Sequence, residues 1–320
     1  MSESLSAFRE ALGTFADHIS DTNPLWLAFA LLLHTVSLLV RARVWCSILR
    51  VALPHREVQI RPVIWAYLAG VGANAIAPAR GGDLVRLYAV RRALPGSSLV
   101  TIVSTLVAET VFGFFVIASL AMLTAYLGWL PALVNVPDAK AFEFSFYARH
   151  LPPMAIVSLA LLVVIAIASR WASRRVRGLA LHLLQGLRIL RSPLAFARLV
   201  ALPQLGDWVL RAATAYALLA AFGIPASIKA AILVLVVDSV ATALPFTPGG
   251  AGAQQGLLVL ALGAAASSAQ ILAFSVGAQV VITVANFLLG LCAIYASFGH
   301  VRLRRIRRDA DRPEQAVGQS

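Results

Sequence analysis

The 320-residue chain is 60% hydrophobic and only 13% charged, with a mean hydropathy of +0.82, a composition that excludes an ordinary soluble globular domain. Its formal charge of +13 does not imply nucleic acid, because the arginines sit beside long apolar runs and form no basic stripe with interleaved aromatics. Cys46 and Cys292 lie within or beside apolar segments and support neither a disulfide framework nor a thiolate metal site.

Residues 1–24 form an acidic leader carrying Glu3, Glu10, Asp17 and Asp21. The first apolar run, 25–40 with room to continue to Leu49, meets Arg41 without a small-residue cleavage pattern, so it reads as a span and not as a signal peptide. Further long spans are expected at 98–127, 151–168, 196–222 and 269–298. A bilayer core of ~30 Å needs ~20 helical residues, so each can cross once, the longer ones with tilt.

Three other apolar runs are short or broken. Residues 63–77 contain Gly70, Gly72 and Asn74 and stop at Pro78; 228–244 stop at Pro245; 253–266 follow the turn Pro245 to Gly252. Short segments broken by Gly and Pro are the pattern of discontinuous helices around a midplane site. The expected fold is an all-α polytopic membrane helix bundle of about seven to eight hydrophobic segments with Gly/Pro-broken or re-entrant helices. It forms one transmembrane unit over 25–298, followed by a basic tail at 299–320.

Short cytoplasmic loops carry the Lys/Arg excess. Arg41, Arg43, Arg50, Arg56 and Arg61 precede the Gly-interrupted run, and Arg80, Arg86, Arg91 and Arg92 follow it. Both flanks are therefore expected in the cytoplasm, with 63–77 dipping into the bilayer and returning. The near-neutral loop 131–150 suits the outside. The segment 170–193, alternating arginines with leucines, is expected to be a basic amphipathic helix lying on the cytoplasmic interface. This gives a multi-pass protein of a bacterial inner membrane with its N-terminus outside and its C-terminus inside. Whether 228–266 is two crossings or one re-entrant hairpin is open, since either returns the chain to its starting side.

Chemistry is concentrated in four places. In the first, Asn74 to Arg86, Gly81 and Gly82 leave backbone N–H groups open to an anion, Asp83 can orient Arg86, and Arg80 and Arg86 can grip a lipid phosphate bidentately. An ordinary loop with positive-inside arginines is the competing reading. The second is Glu109, well inside a span, where a lone carboxylate costs roughly 2.5–3.5 kcal/mol. It should be paired, with Arg80 or Arg86, or protonated. The third is Pro245 to Gly252, whose Pro248, Gly249, Gly250 and Gly252 would offer backbone donors, with Gln254 and Gln255 behind it and Asp238 upstream. A plain extramembrane turn is its alternative. The fourth is Asp207 and Arg211, spaced i to i+4 and expected to form an internal ion pair. Gln279 and Asn286 read as glue between helices. The sequence shows no Walker loop, no serine elbow and no metal-ligand spacing, so no cofactor, metal or catalytic residue is expected.

Asn74, Pro78, Arg80, Gly82, Asp83 and Arg86, then Glu109, then the Leu-Pro-Phe-Thr-Pro-Gly-Gly-Ala-Gly run ending at Gly252, resemble the lysylphosphatidylglycerol synthase transmembrane region, a flippase-like family. The resemblance extends from about Arg41 to Phe298 and implies a role in moving or presenting a lipid. Two-domain members of that family are associated with aminoacyl-phosphatidylglycerol through a soluble C-terminal synthase domain. With Ser320 soon after the last span, synthase activity is not expected. Many members follow the intramembrane Glu with Arg and then Asp, where this chain has Thr110 and Gly113. Many also carry Glu after the Pro-Gly-Gly turn and Arg in the final span, where Gln255 and Gln279 stand here. An acid and a base are lost together, which suggests a charge pair exchanged for neutral amides.

The expected function is thus a lipid translocase-like protein without an ATPase, handling a phospholipid or lipid-linked substrate where the two broken segments meet. Arg80 and Arg86 would hold the phosphate, Glu109 and Asp238 would balance charge, and Asn74, Gly82, Asp83 and Gln255 would complete the site. The expected partners are membrane phospholipids, anionic or aminoacylated ones among them, and a lipid-modifying enzyme. The alternative is an accessory membrane subunit of a glycosyltransferase or other lipid-modifying enzyme; a membrane enzyme acting on lipid itself is disfavoured because no acid/base or nucleophile set converges.

Overall fold

The computed structural model describes residues 22–77, 81–129, 181, 183–243 and 253–310, and these are helical with short connections. The expected span at 151–168 and the Pro-Gly-Gly turn lie outside the described residues.

Helix α1 (Pro24–Ala52) starts where the Asn23 side chain accepts hydrogen bonds from the backbone N–H of Leu25 and Trp26, with Pro24 pre-setting the first turn. At 29 residues it is ~43 Å long and absorbs Arg41, Arg43 and Arg50 into the helix. The helix thus takes the longer of the two extents open to this span, and Arg41 lies 4.0 Å from Asp207 of another helix.

Helices α2 (Ile60–Asn74) and α3 (Gly81–Ala93) pack on each other as a hairpin. With 15 and 13 residues they reach only ~22 and ~20 Å, too short for a ~30 Å core. The connections at its two ends touch: Arg56, before α2, donates to the carbonyl of Pro95, after α3. Arg50 near the end of α1 donates to the Val58 carbonyl at 3.0 Å. The arginine-rich flanks of the hairpin thus share one end of the bundle, as a re-entrant element requires.

Helix α4 (Leu99–Tyr126) is long and apolar enough to cross. The helix that follows residue 182 ends in a 3-10 turn, Arg188–Arg191, with Ile189 buried against Val44, Ile48, Ala108 and Val200. Thr101 donates to Gln185 at 3.4 Å. The described end of the expected interfacial segment is therefore docked on α1 and α4, because its apolar residues find protein partners there instead of lipid.

A short helix α5 (Pro193–Phe196) runs through a π-helical stretch, Ala197–Ala201, into α6 (Leu202–Ala221). Helices α7 (Ile228–Ala243) and α8 (Ala253–Leu262) form a second packed pair, and α9 (Ser268–Ala310) carries the final apolar span straight on into the basic tail.

Two cores organise the bundle. One joins Trp45 and Leu49 of α1 with Val63 and Tyr67 of α2, Val90 of α3, Ile102 of α4 and Ala293 of α9. The other joins Leu219 of α6, Leu233 of α7, Leu258 of α8 and Phe274 of α9. Helix α9 links both. It meets α2 at Gly72 and Gly290, where a Cβ built on either residue would lie 2.5 Å from the other's Cα. Only backbone fits there. Phe114 and Phe115 of α4 and Leu288 and Leu291 of α9 remain exposed on the protein's outer surface, where lipid is the solvent they require. The chain is an all-α membrane protein.

Candidate functional site

The turn of the first hairpin is closed from within. The Asn74 side-chain oxygen accepts the Gly82 N–H at 2.7 Å, capping the start of α3 across the reversal. A Cβ on Gly82 would collide with the Gly70 carbonyl and lie 2.5 Å from the Asn74 nitrogen. Asn74 and Gly82 were expected to offer donors to an anion; here they satisfy each other. Asn74→Ala is expected to lower stability by about 1 kcal/mol and Asn74→Asp to retain most of it, read from thermal unfolding in detergent. Equal midpoints for Asn74→Ala and wild type would show that the cap contributes nothing.

Arg86, the sixth residue of α3, is 8% exposed and donates from Nη2 to Glu109 Oε2 at 2.7 Å. Its guanidinium lies 3.8 Å from the centre of the Trp45 ring and 4.3 Å from that of Tyr67. Trp45 is fixed in turn by donating its indole N–H to Thr105 at 3.0 Å. Pairing of Glu109 with Arg86 follows from the cost of a lone carboxylate in hydrocarbon. It also changes the reading of Arg86: aromatic rings and a carboxylate already occupy the side chain expected to take a phosphate. Asp83 is not the group that holds Arg86; Glu109 does so from α4.

A second polar cluster surrounds α6. Asp207 accepts from the Ser37 hydroxyl of α1, and its other oxygen lies 4.0 Å from Arg41 Nε. Arg211 lies 4.0 Å from Asp238 of α7, which accepts from Gln254 of α8 at 3.2 Å. The expected Asp207–Arg211 pair within α6 is thus corrected. Helix α6 packs against α1 and against α7, so each charge is drawn to a different neighbour. Helical spacing permits an i to i+4 pair but does not choose it over closer partners on adjoining helices.

Two neutral pairs complete the interior. Gln255 donates to Gln279 at 3.1 Å, placing the two amides against each other across α8 and α9. His34 of α1 and Asn286 of α9 are 2.8 Å apart, so Asn286 does bind helices together. Arg80, Pro248, Gly249, Gly250 and Gly252 lie outside the described residues. Among the described residues, the two hairpins are joined mainly through α1, α4 and α9, each of which packs on one or both.

Sequence reasoning missed Arg41, Ser37, His34, Trp45 and Tyr67. The available signal was spacing: His34, Ser37 and Arg41 recur at helical intervals on α1, marking one polar face within a long apolar run.

A buried ion pair anchored in a hairpin too short to cross, with two looser pairs between neighbouring helices, defines a polytopic membrane protein with a polar interior. The chain belongs to the family described as the lysylphosphatidylglycerol synthase TM region, whose sequence signature matches residues 5–290. No curated protein and no solved structure matches the chain.

Proposed function

We propose that the chain is a flippase-like protein of a bacterial inner membrane that carries a phospholipid or lipid-linked substrate across the bilayer through its polar interior, without catalysing a chemical step. One observation carries this reading. Arg41 and Glu109 sit on helices long and apolar enough to cross a membrane, and Arg86, Asp207, Arg211 and Asp238 stand on helices packed in the same bundle, where ionisable groups are costly and are retained for substrates or ions. Membership of a lipid-associated membrane family supports it. The test is reconstitution into liposomes containing a fluorescent short-chain phosphatidylglycerol, with dithionite quenching from outside. Faster loss of the inner-leaflet signal than in protein-free vesicles is expected. Equal rates would overturn translocation.

The same reading sets the hairpin's flanks and the C-terminus in the cytoplasm and the N-terminus outside, following the arginines. Cysteines at Glu57 and Ala93, both exposed, should be labelled from the same side of intact spheroplasts and inverted vesicles. Labelling from opposite sides would mean that the hairpin crosses the membrane.

A further inference from the structure

The arginines inside the bundle are not equivalent. Arg86 is closed, with a 2.7 Å bond to Glu109 and rings on its faces. Arg41 and Arg211 are open. Their acidic neighbours stand 4.0 Å away, and among the described residues neither guanidinium donates a hydrogen bond. The side chains of Arg41 and Arg211 keep 38% and 26% of their surface, and that of Asp238 keeps 41%, although each stands on a helix within the bundle. Charged groups that keep open surface on packed helices remain accessible to a ligand.

The two arginines also meet on one helix: Arg41 lies 4.0 Å from Asp207, and Arg211 stands one turn beyond Asp207 on α6. Their acids are held by neutral donors, Asp207 by Ser37 and Asp238 by Gln254, so the arginines' own N–H groups remain unspent. The Arg211 guanidinium lies 4.2 Å from the centre of the Trp208 ring and that of Arg41 5.7 Å from that of Tyr67. Such ring contacts hold a guanidinium without spending its N–H donors, the groups that match a phosphate.

We propose that Arg41 and Arg211 form an anion site between α1, α6 and α7 that takes the phosphate of a lipid headgroup, while the Arg86–Glu109 pair serves to hold the hairpin. This deepens the lipid-carrying reading above and rests on it. Repulsion between the two guanidinia is relieved when a shared anion sits between them, and the donors left idle by the distant carboxylates are satisfied. Asp207 and Asp238 keep the cluster neutral when no ligand is present.

The test is native mass spectrometry of the detergent-purified chain with phosphatidylglycerol, with diacylglycerol as the phosphate-free probe, and with inorganic phosphate as competitor. Because removing an arginine alone strands a carboxylate, the variants are Arg41→Gln with Asp207→Asn, and Arg211→Gln with Asp238→Asn. Wild type should retain phosphatidylglycerol over diacylglycerol, and each paired variant should lose about tenfold in retention, the scale of one charge-assisted contact. Should either paired variant fail to fold, Arg41→Lys with Arg211→Lys keeps the charge, loses the fork, and should fall between wild type and that loss. Folded variants of both kinds that hold phosphatidylglycerol like wild type would overturn the arginine site and leave the lipid reading standing. Wild type that binds neither lipid and no inorganic phosphate overturns both. If inorganic phosphate binds in an arginine-dependent manner and no lipid does, the anion site stands, its source is a free anion, and the lipid reading fails.

Discussion

Arg86→Leu or Glu109→Leu alone should destabilise the protein by about 3–5 kcal/mol, whereas the double leucine variant should be far closer to wild type. Each single change leaves a charge that is almost wholly buried, since the two side chains keep only 10% and 11% of their surface. Removing both takes away the desolvation cost along with the attraction. The Arg86 stem and guanidinium also fill the space between Trp45 and Tyr67, so Arg86→Met with Glu109→Leu should be better tolerated than Arg86→Ala with Glu109→Ala. A double-mutant cycle on unfolding in mixed micelles reads the effect. Additive losses would show that the two residues do not act as a pair.

Gly82→Val should be the most damaging glycine substitution at the hairpin turn, costing about 3 kcal/mol or more, above the usual range for overpacking. The atoms its Cβ would strike are the Gly70 carbonyl and the backbone nitrogen of Asn74, neither of which can turn aside like a flexible side chain. Relief requires α2 and α3 to separate, and that also breaks the Asn74 cap and moves Arg86 away from Glu109. Gly113→Ala on α4 is the control. A Cβ there meets nothing within 4 Å, so the substitution should be neutral or stabilise by up to about 1 kcal/mol. Thermal unfolding of both variants decides the matter, and a Gly82→Val protein with the wild-type midpoint would mean that the helices are not in contact there.

Much of this interior was legible in the sequence where a single residue carries a large penalty. Glu109 in an apolar run demands a counter-ion, and the nearby arginine motif contains it. Gln255 and Gln279 could be matched because they occupy the places of an acid and a base in the family pattern, and they do meet. The glycines and flanking arginines pointed to a reversal but misplaced it: 60–74 is one helix, and the return is made by 81–93, which carries Arg86 inside the hairpin and not on its flank. The hairpin's internal bond was not legible. Asn74 and Gly82 are eight positions apart, and nothing in that spacing says that the chain reverses so that one caps the other. The neighbour of Arg41 was not legible either, because Asp207 lies far along the chain on α6. The Asp207–Arg211 expectation failed for a related reason: periodicity reports faces of one helix and is silent about which neighbours those faces meet. The junction of the hairpin turn with the Pro-Gly-Gly turn rests on Arg80 and Pro248 to Gly252, which lie outside the described residues.

The meeting of Gly72 with Gly290 has a mechanical consequence. Helices that interlock through side chains resist both sliding and rotation, because ridges sit in grooves. Here the backbones touch with no side chain between them, so the distance between α2 and α9 is tightly set at that point while their crossing angle is held only by contacts farther along. Such a contact would act as a fulcrum, with α9, 43 residues and ~65 Å long, as its lever. Small rotations about Gly290 would be magnified at both ends of that lever, and least felt at Asn286, one turn away, where His34 ties it to α1.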